Sequence, residues 1–274
     1  MPSQRIKLAA LALLCALTGA GTASGQNAAS ASATVGVAKL IVSDLKQTQA
    51  FYESMFGMKE VAHYSAEGVY DEPIMGFDSG ARLALFQPKT AAPVKKSQAP
   101  VALIYTPEFD ALVARIEAAK HPIRRLPAAQ SGSFRIAIVR DPSDNAIEIL
   151  ARDGKPMEIG GSKLIVDSRQ QAEEFFTKVF AVKPGQRFKT DAYDEVPMDF
   201  GPGAFLALFE PKNEAPLPKS RHAVVAIYTA QFDAVLENVK ALGYGYRDVK
   251  TTAPDRRIII AQDPAGNAVE IISS

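Results

Sequence analysis

Tryptophan is absent from this 274-residue sequence, cysteine occurs once and histidine only three times. The lone cysteine, Cys15, sits inside an N-terminal apolar run, so the chain beyond it has no thiol. That excludes a disulfide, a cysteine nucleophile and a Cys-ligated metal there. The histidines, His63, His121 and His222, are scattered and form no ligand cluster. Net charge is also missing: 31 Lys and Arg against 30 Asp and Glu leave +1, which gives no footing for a nucleic-acid partner. The apolar run Leu8–Leu17 is too short to span a bilayer. What remains is an ordinary globular composition, 47% apolar and 22% charged, with enough apolar material for one or two cores.

Arg5 and Lys7 precede the apolar run, and small residues follow it through Ala23-Ser24-Gly25. A basic start, a short apolar core and a small-residue exit describe a secretory signal peptide. Leu14 before Cys15 does not suit a lipoprotein site. Residues 1–25 are therefore expected to be a signal peptide and residues 26–34, rich in Ala, Ser and Asn, a flexible leader. The mature protein is expected to be exported, periplasmic or secreted, with no membrane attachment after cleavage.

The rest of the chain is an internal repeat. Tyr70-Asp71-Glu72 returns as Tyr193-Asp194-Glu195, and Leu83-Ala84-Leu85-Phe86 as Leu206-Ala207-Leu208-Phe209. Ile104-Tyr105-Thr106 returns as Ile227-Tyr228-Thr229, and Asp141-Pro142 with Asn145-Ala146 as Asp263-Pro264 with Asn267-Ala268. Lys39-Leu40-Ile41-Val42 matches Lys163-Leu164-Ile165-Val166. Two domains are expected, residues 35–152 and 156–274.

Each copy reads β-α-β-β-β twice. Val37–Val42 is a β-rich run, Asp44 with Gln47 forms a capping box, and Gly57 ends the helix. Lys59–Ser65, Tyr70–Phe77, Arg82–Phe86 and Val101–Tyr105 read as strands. Thr106-Pro107 opens a second helix, whose Phe109, Leu112, Val113 and Ile116 follow helical spacing. Strands about Arg135–Val139 and Ala146–Leu150, joined by the Asp141–Asn145 turn, close the copy. One short strand of the second half is poorly marked. The fold class is α+β, with curved half-open sheets around a cleft and helices outside.

These segments together resemble the vicinal-oxygen-chelate superfamily (glyoxalase/bleomycin-resistance/extradiol-dioxygenase-like). Val42-Ser43-Asp44 with Phe51-Tyr52 and Phe56-Gly57 is similar to its strand–helix start. Asp141-Pro142-Ser143-Asp144-Asn145-Ala146-Ile147-Glu148 is similar to its closing turn and strand, as is Asp263-Pro264-Ala265-Gly266-Asn267-Ala268-Val269-Glu270. The resemblance covers nearly all of residues 35–274. It implies a small-molecule cleft, commonly with a divalent metal as Lewis acid, and members include lyases, isomerases, dioxygenases and drug-sequestering proteins.

The family's four ligand positions fall on Val37, Ala84, Val101 and Glu148 in the first copy and on Gly161, Ala207, Val224 and Glu270 in the second. Only the last glutamate of each set is a donor, and one carboxylate does not hold a catalytic divalent ion. A slipped arrangement that brings His222 to Glu270 is the remaining metal site. His63 and His121 read as surface or structural.

Among the duplicated polar residues, Glu148 and Glu270 are expected to face the cleft as catalytic groups. Tyr70 and Tyr193 are candidate hydrogen-bonding phenols, and Asp71 and Asp194 candidate substrate contacts; a solvated, merely repeated turn is the simpler alternative. Lys39 and Lys163 are expected on the cleft-facing side, to meet an anionic substrate or to pair with Glu148 or Glu270; a merely structural ion pair, or a strand-edge lysine facing water, is the simpler alternative. The leading function is recognition of, or acid/base chemistry on, a small organic molecule without a complete metal-ligand set. A divalent-metal lyase, isomerase or dioxygenase with displaced ligands stands second, and a non-enzymatic partner-binding protein third. No cofactor beyond that divalent metal is implied, and both a monomer and a homodimer are open.

Overall fold

The computed structural model describes residues 33–89, 95–127, 134–251 and 255–274. The proposed signal peptide lies outside them. The first copy runs β1 (Ala33–Ile41), α1 (Leu45–Phe56), β2 (Lys59–Ala66), β3 (Tyr70–Gly76) and β4 (Arg82–Pro88). It continues with β5 (Ala102–Thr106), α2 (Phe109–Ala118), β6 (Ile123–Arg125), β7 (Ile136–Arg140) and β8 (Ala146–Ala151). The second runs β9 (Glu158–Ile165), α3 (Arg169–Phe180), the short β10 (Lys183–Pro184) and β11 (Phe188–Lys189), β12 (Tyr193–Asp199) and β13 (Phe205–Pro211). Then follow β14 (Ala223–Thr229), α4 (Phe232–Ala241), β15 (Tyr246–Val249), β16 (Ile258–Gln262) and β17 (Ala268–Ser273). The weakly marked strand of each second half is β6 or β15. Among the described residues no helix is long and apolar enough to cross a membrane.

Local chemistry explains the element ends. Asp44 caps α1 by accepting from the Gln47 N–H at 2.9 Å, while the Gln47 side chain returns to the Asp44 carboxylate rather than to its backbone. Gly57 leaves the helix at φ 70, a left-handed conformation that costs glycine little. Two boundaries differ from the sequence reading. Thr106 is the last residue of β5, not a helix cap; its hydroxyl accepts from the Glu108 N–H and α2 starts at Phe109. Ala33 and Thr34, assigned above to the leader, belong to β1, where they pair with Thr229 and Tyr228.

The α+β class with two tandem units holds, but the strands are shared between the copies. One sheet has the order β15-β16-β17-β14-β1-β4-β3-β2, so the first half of copy one lies beside the second half of copy two. The other, β10-β12-β13-β9-β5-β8-β7-β6 with β11 on β12, makes the reciprocal combination. The joints are antiparallel: β1 on β14 and β5 on β9. Each copy nevertheless keeps its own core. Phe51, Tyr52, Leu112, Val113, Ile104 and Ile147 pack under α1 and α2, and Phe175, Phe176, Leu236, Val239, Ile227 and Ile271 under α3 and α4. The cores therefore belong mainly to the copies, with Ala33 and Val35 of β1 joining the second core and Ile159 of β9 the first, and the opposite faces of the sheets form two hollows to which both copies contribute.

The first hollow (A) has a floor of Val37, Ile74, Ala84, Ala226 and Ile272. The second (B) is filled by Leu103, Tyr105, Ile136, Leu150 and Phe205 among others. Gly161 on β9 lies under the Phe205 ring; a Cβ there would meet the Phe205 carbonyl oxygen at 2.4 Å. Because the nearest atom is backbone, it cannot swing aside. Gly161→Ala should therefore lower the unfolding free energy by about 1–3 kcal/mol. Urea denaturation checks this, and an unchanged midpoint would contradict the packing.

Candidate functional site

Three charged side chains meet in hollow A. Lys39 from β1 places its Nζ 2.7 Å from Glu270 Oε2 on β17 and 2.8 Å from Glu72 Oε1 on β3. Strand order puts β17 and β3 each two places from β1. In a flat sheet the two glutamates would stand roughly 19 Å apart at the usual strand spacing. Both reach one ammonium, so the sheet curls around it.

Hollow B repeats the arrangement with the copies exchanged. Lys163 Nζ on β9 lies 2.8 Å from Glu148 Oε2 on β8 and 3.0 Å from Glu195 Oε1 on β12. Of the readings of the lysines, ion pairing is therefore the one realised, and it crosses between copies: Lys39 with Glu270, Lys163 with Glu148. Glu72 and Glu195, inside the repeated Tyr-Asp-Glu motif, are site residues that the sequence reading does not name. Alternation along a strand separates the tyrosine and glutamate of Tyr-Asp-Glu from the aspartate between them, and that was the available signal.

The aspartates accordingly face away from the triads. Asp71 pairs with His63 and, at 3.6 Å, with Lys89 near the surface. Asp194 is buried against Arg187 and Arg169. The tyrosines stay beside the triads. Tyr70 stacks on Phe86 with centroids 5.1 Å apart, and Phe86 meets the His222 ring at 4.7 Å. Tyr193 stacks on Phe209 at 5.2 Å. His222 thus joins an aromatic wall, and no contact between it and Glu270 is formed. His121 packs edge-on against Phe51.

Electrostatics follow from burial. Removal from water by itself would lower the Lys39 pKa, but the Glu270 and Glu72 carboxylates outweigh it and hold the ammonium protonated above the ordinary lysine range. Lys163 behaves likewise with Glu148 and Glu195. Burial raises the Glu72 carboxyl, partly offset by Lys39. Burial also pushes Glu195 up to about 7, against Lys163 and helped by the like charge of Glu148. His222 is lowered by burial and by the cations Arg221, Arg247 and Lys39. One cation against two carboxylates leaves each fully ionised triad at −1, and a buried site resists that charge.

The two hollows are unequal. Side-chain exposure is 9%, 8% and 14% for Lys39, Glu72 and Glu270, and 0% for Lys163, Glu148 and Glu195. The cause lies in three substitutions between copies. Leu103 of hollow B stands where hollow A has Ala226. Phe205 stands where A has Arg82, whose guanidinium turns away to the Phe77 carbonyl. Phe188 packs over hollow B, whereas Tyr64, which faces Glu72 across β2 and β3 as Phe188 faces Glu195, stays 49% exposed.

The ligand positions implied by resemblance regroup across the copies. Val37, Ala84, Val224 and Glu270 belong to one sheet, and Val101, Glu148, Gly161 and Ala207 to or beside the other, rather than each set to one copy. Among the described residues no group of three His, Cys, Asp or Glu converges as a metal site would require. The ammonium itself stands between the two carboxylates of each hollow. As placed, these residues do not fit a divalent ion.

The sequence model of the glyoxalase/bleomycin resistance protein/dioxygenase superfamily matches residues 34–149 and 159–271. Glyoxalase I from Zea mays is similar in structure, with a TM-score of 0.72 at 20% identity over 88% of this chain and 92% of that one. Its V278E variant gives 0.74 at 21% identity with the same coverage. A putative dioxygenase from Bacillus subtilis gives 0.67 at 14% identity over 87% and 84%. No curated protein sequence matches the chain. Similarity at such identities speaks for fold, and the fold is one that supports small-molecule binding or chemistry. With both copies matched over almost their whole length, the chain belongs to the glyoxalase/bleomycin resistance protein/dioxygenase superfamily.

Proposed function

We propose that this is an exported protein that binds a small organic molecule in hollow A and transfers a proton on it, with a lysine ammonium where the resemblance implies a metal. One observation carries the reading: the Lys39–Glu72–Glu270 triad keeps partial access beside an aromatic wall, while its duplicate is sealed. A planar group laid along Tyr70, Phe86 and His222 would bring a reactive atom to the carboxylates. Glu72, its carboxyl raised by burial, is a more basic proton acceptor than an exposed carboxylate. A lysine ammonium has three N–H groups; one donates to Glu270 and the charge also pairs with Glu72, which leaves N–H capacity for an oxygen that gains negative charge as the proton departs. Glu270 anchors Lys39 from the other side.

The ammonium is fully matched by carboxylates, which argues against an anionic group on Lys39 and for a neutral substrate. Hollow B, filled by Phe205 and Leu103, is assigned a structural role. Both halves of each hollow come from one chain, which supports a monomer. The signal-peptide layout of residues 1–25 supports export.

Two experiments test this reading. A thermal-shift screen of neutral aromatic carbonyl compounds should give ligands whose affinity drops about tenfold or more in Ala226→Leu, which copies Leu103 into hollow A. Binding that survives that substitution, or that maps to hollow B, would sink the proposal. The second concerns the sealed triad. A carboxyl raised from 4.5 to about 7 by folding holds a proton that the unfolded chain has already released. Stability should fall as pH rises across that window and level off above it. Relative to wild type, Glu195→Gln should flatten the fall by roughly 1–3 kcal/mol in urea unfolding between pH 4.5 and 8. Parallel curves for the two proteins would contradict it.

A further inference from the structure

A cavity of about 120 Å³ lies at the seam where the two copies meet, bordered by Lys39 and Lys163 of the two hollows. It is several times the space one water needs. Its lining is paired through the repeat: Lys96 with Lys219, Ser97 with Ser220, Val101 with Val224, Leu40 with Leu164. The cavity therefore straddles the approximate two-fold relation between copies, with an apolar floor and a cationic side.

The pairing breaks around Lys96. Lys219 has a carboxylate partner, Asp167, at 3.4 Å. Where the second copy has Asp167, the first has Ser43, and Lys96 instead donates to the Ile41 carbonyl at 2.6 Å. The carboxylates nearest in effect to Lys96 are already engaged. Asp141 accepts from the backbone N–H groups of Ser143 and Asn145, and Asp144 lies 3.6 Å from Arg140. Burial lowers the Lys96 ammonium below the ordinary lysine range, with only partial relief from Asp141 and Asp144. Lys39 and Lys163, which also line the cavity, are committed to their glutamates. Exposed Lys95 adds a further positive charge at the rim.

We propose that the seam cavity is a second ligand site that takes a small organic monocarboxylate, its carboxylate on Lys96 and its apolar part against Leu40, Leu164, Val101 and Val224. A half-buried cation without a carboxylate of its own gains from a monoanion what Lys219 gains from Asp167. The apolar floor distinguishes an organic acid from an inorganic anion. The inference is independent of the role given to hollow A.

Isothermal titration of the full chain with hexanoate, 1-hexanol and inorganic phosphate tests it. Hexanoate should bind, and both others should bind at least about tenfold more weakly. Lys96→Met should cost about tenfold or more in hexanoate affinity, and Lys96→Arg should retain most of it. A thermal melt of each variant confirms folding, and Val224→Phe, which fills the cavity without touching a charge, should also abolish binding. Absence of hexanoate binding to wild type, equal binding by Lys96→Met, or phosphate binding as tightly as hexanoate would each overturn the proposal.

Discussion

One ammonium held between two carboxylates organises each face of this molecule. Lys39 and Lys163 sit on the first strands of their copies, and the glutamates come from strands two places away on either side. Desolvating three charges is expensive, and the attraction offsets it only if geometry is close and all three remain together. Removing the lysine from such a group would leave two carboxylates facing each other without water, a loss of about 3–5 kcal/mol for a buried pair. The triads thereby tie β1 to β3 and β17, and β9 to β12 and β8, which fixes both the curl of each sheet and the joint between copies.

From that constraint follows the division of labour. Each copy has its own apolar core beneath its helices, so each can be packed by local sequence. Each hollow needs both copies, because its glutamates come from different ones. Duplication then allows divergence: a leucine for an alanine, a phenylalanine for an arginine and a covering phenylalanine fill one hollow, while the other keeps a partly open triad and an aromatic wall. The seam cavity is a product of the same arrangement, lined by matching residues that the repeat brings face to face.

Much of this was legible in the sequence. The repeat, the alternation of strands and helices, and the caps at Asp44 and Gly57 follow from local chemistry that needs no partner. The inward direction of Lys39, Lys163, Glu148 and Glu270 follows from strand alternation, which does not by itself decide between an ion pair, a substrate contact and a lysine facing water. Glu72 and Glu195 were hidden inside Tyr-Asp-Glu, where the aspartate drew attention although it shares neither face nor partner with them. The exchange of half-sheets was not legible at all. The pairing of β1 with β14 joins residues such as Ala38 and Val225, and no local pattern distinguishes that partner from one in the same copy. The true start of α2 was also obscured, since Thr106 and Pro107 suit a cap by composition while the ladder with β8 extends β5 through Thr106.

The central claim is that the lysine takes the cation position between the glutamates of hollow A. Calorimetric titration of Mn²⁺ into wild type and Lys39→Ala tests it most directly. The account predicts no stoichiometric uptake by wild type and measurable uptake by Lys39→Ala, whose Glu72 and Glu270 are freed. One Mn²⁺ bound per wild-type chain and lost in Glu270→Gln would contradict it.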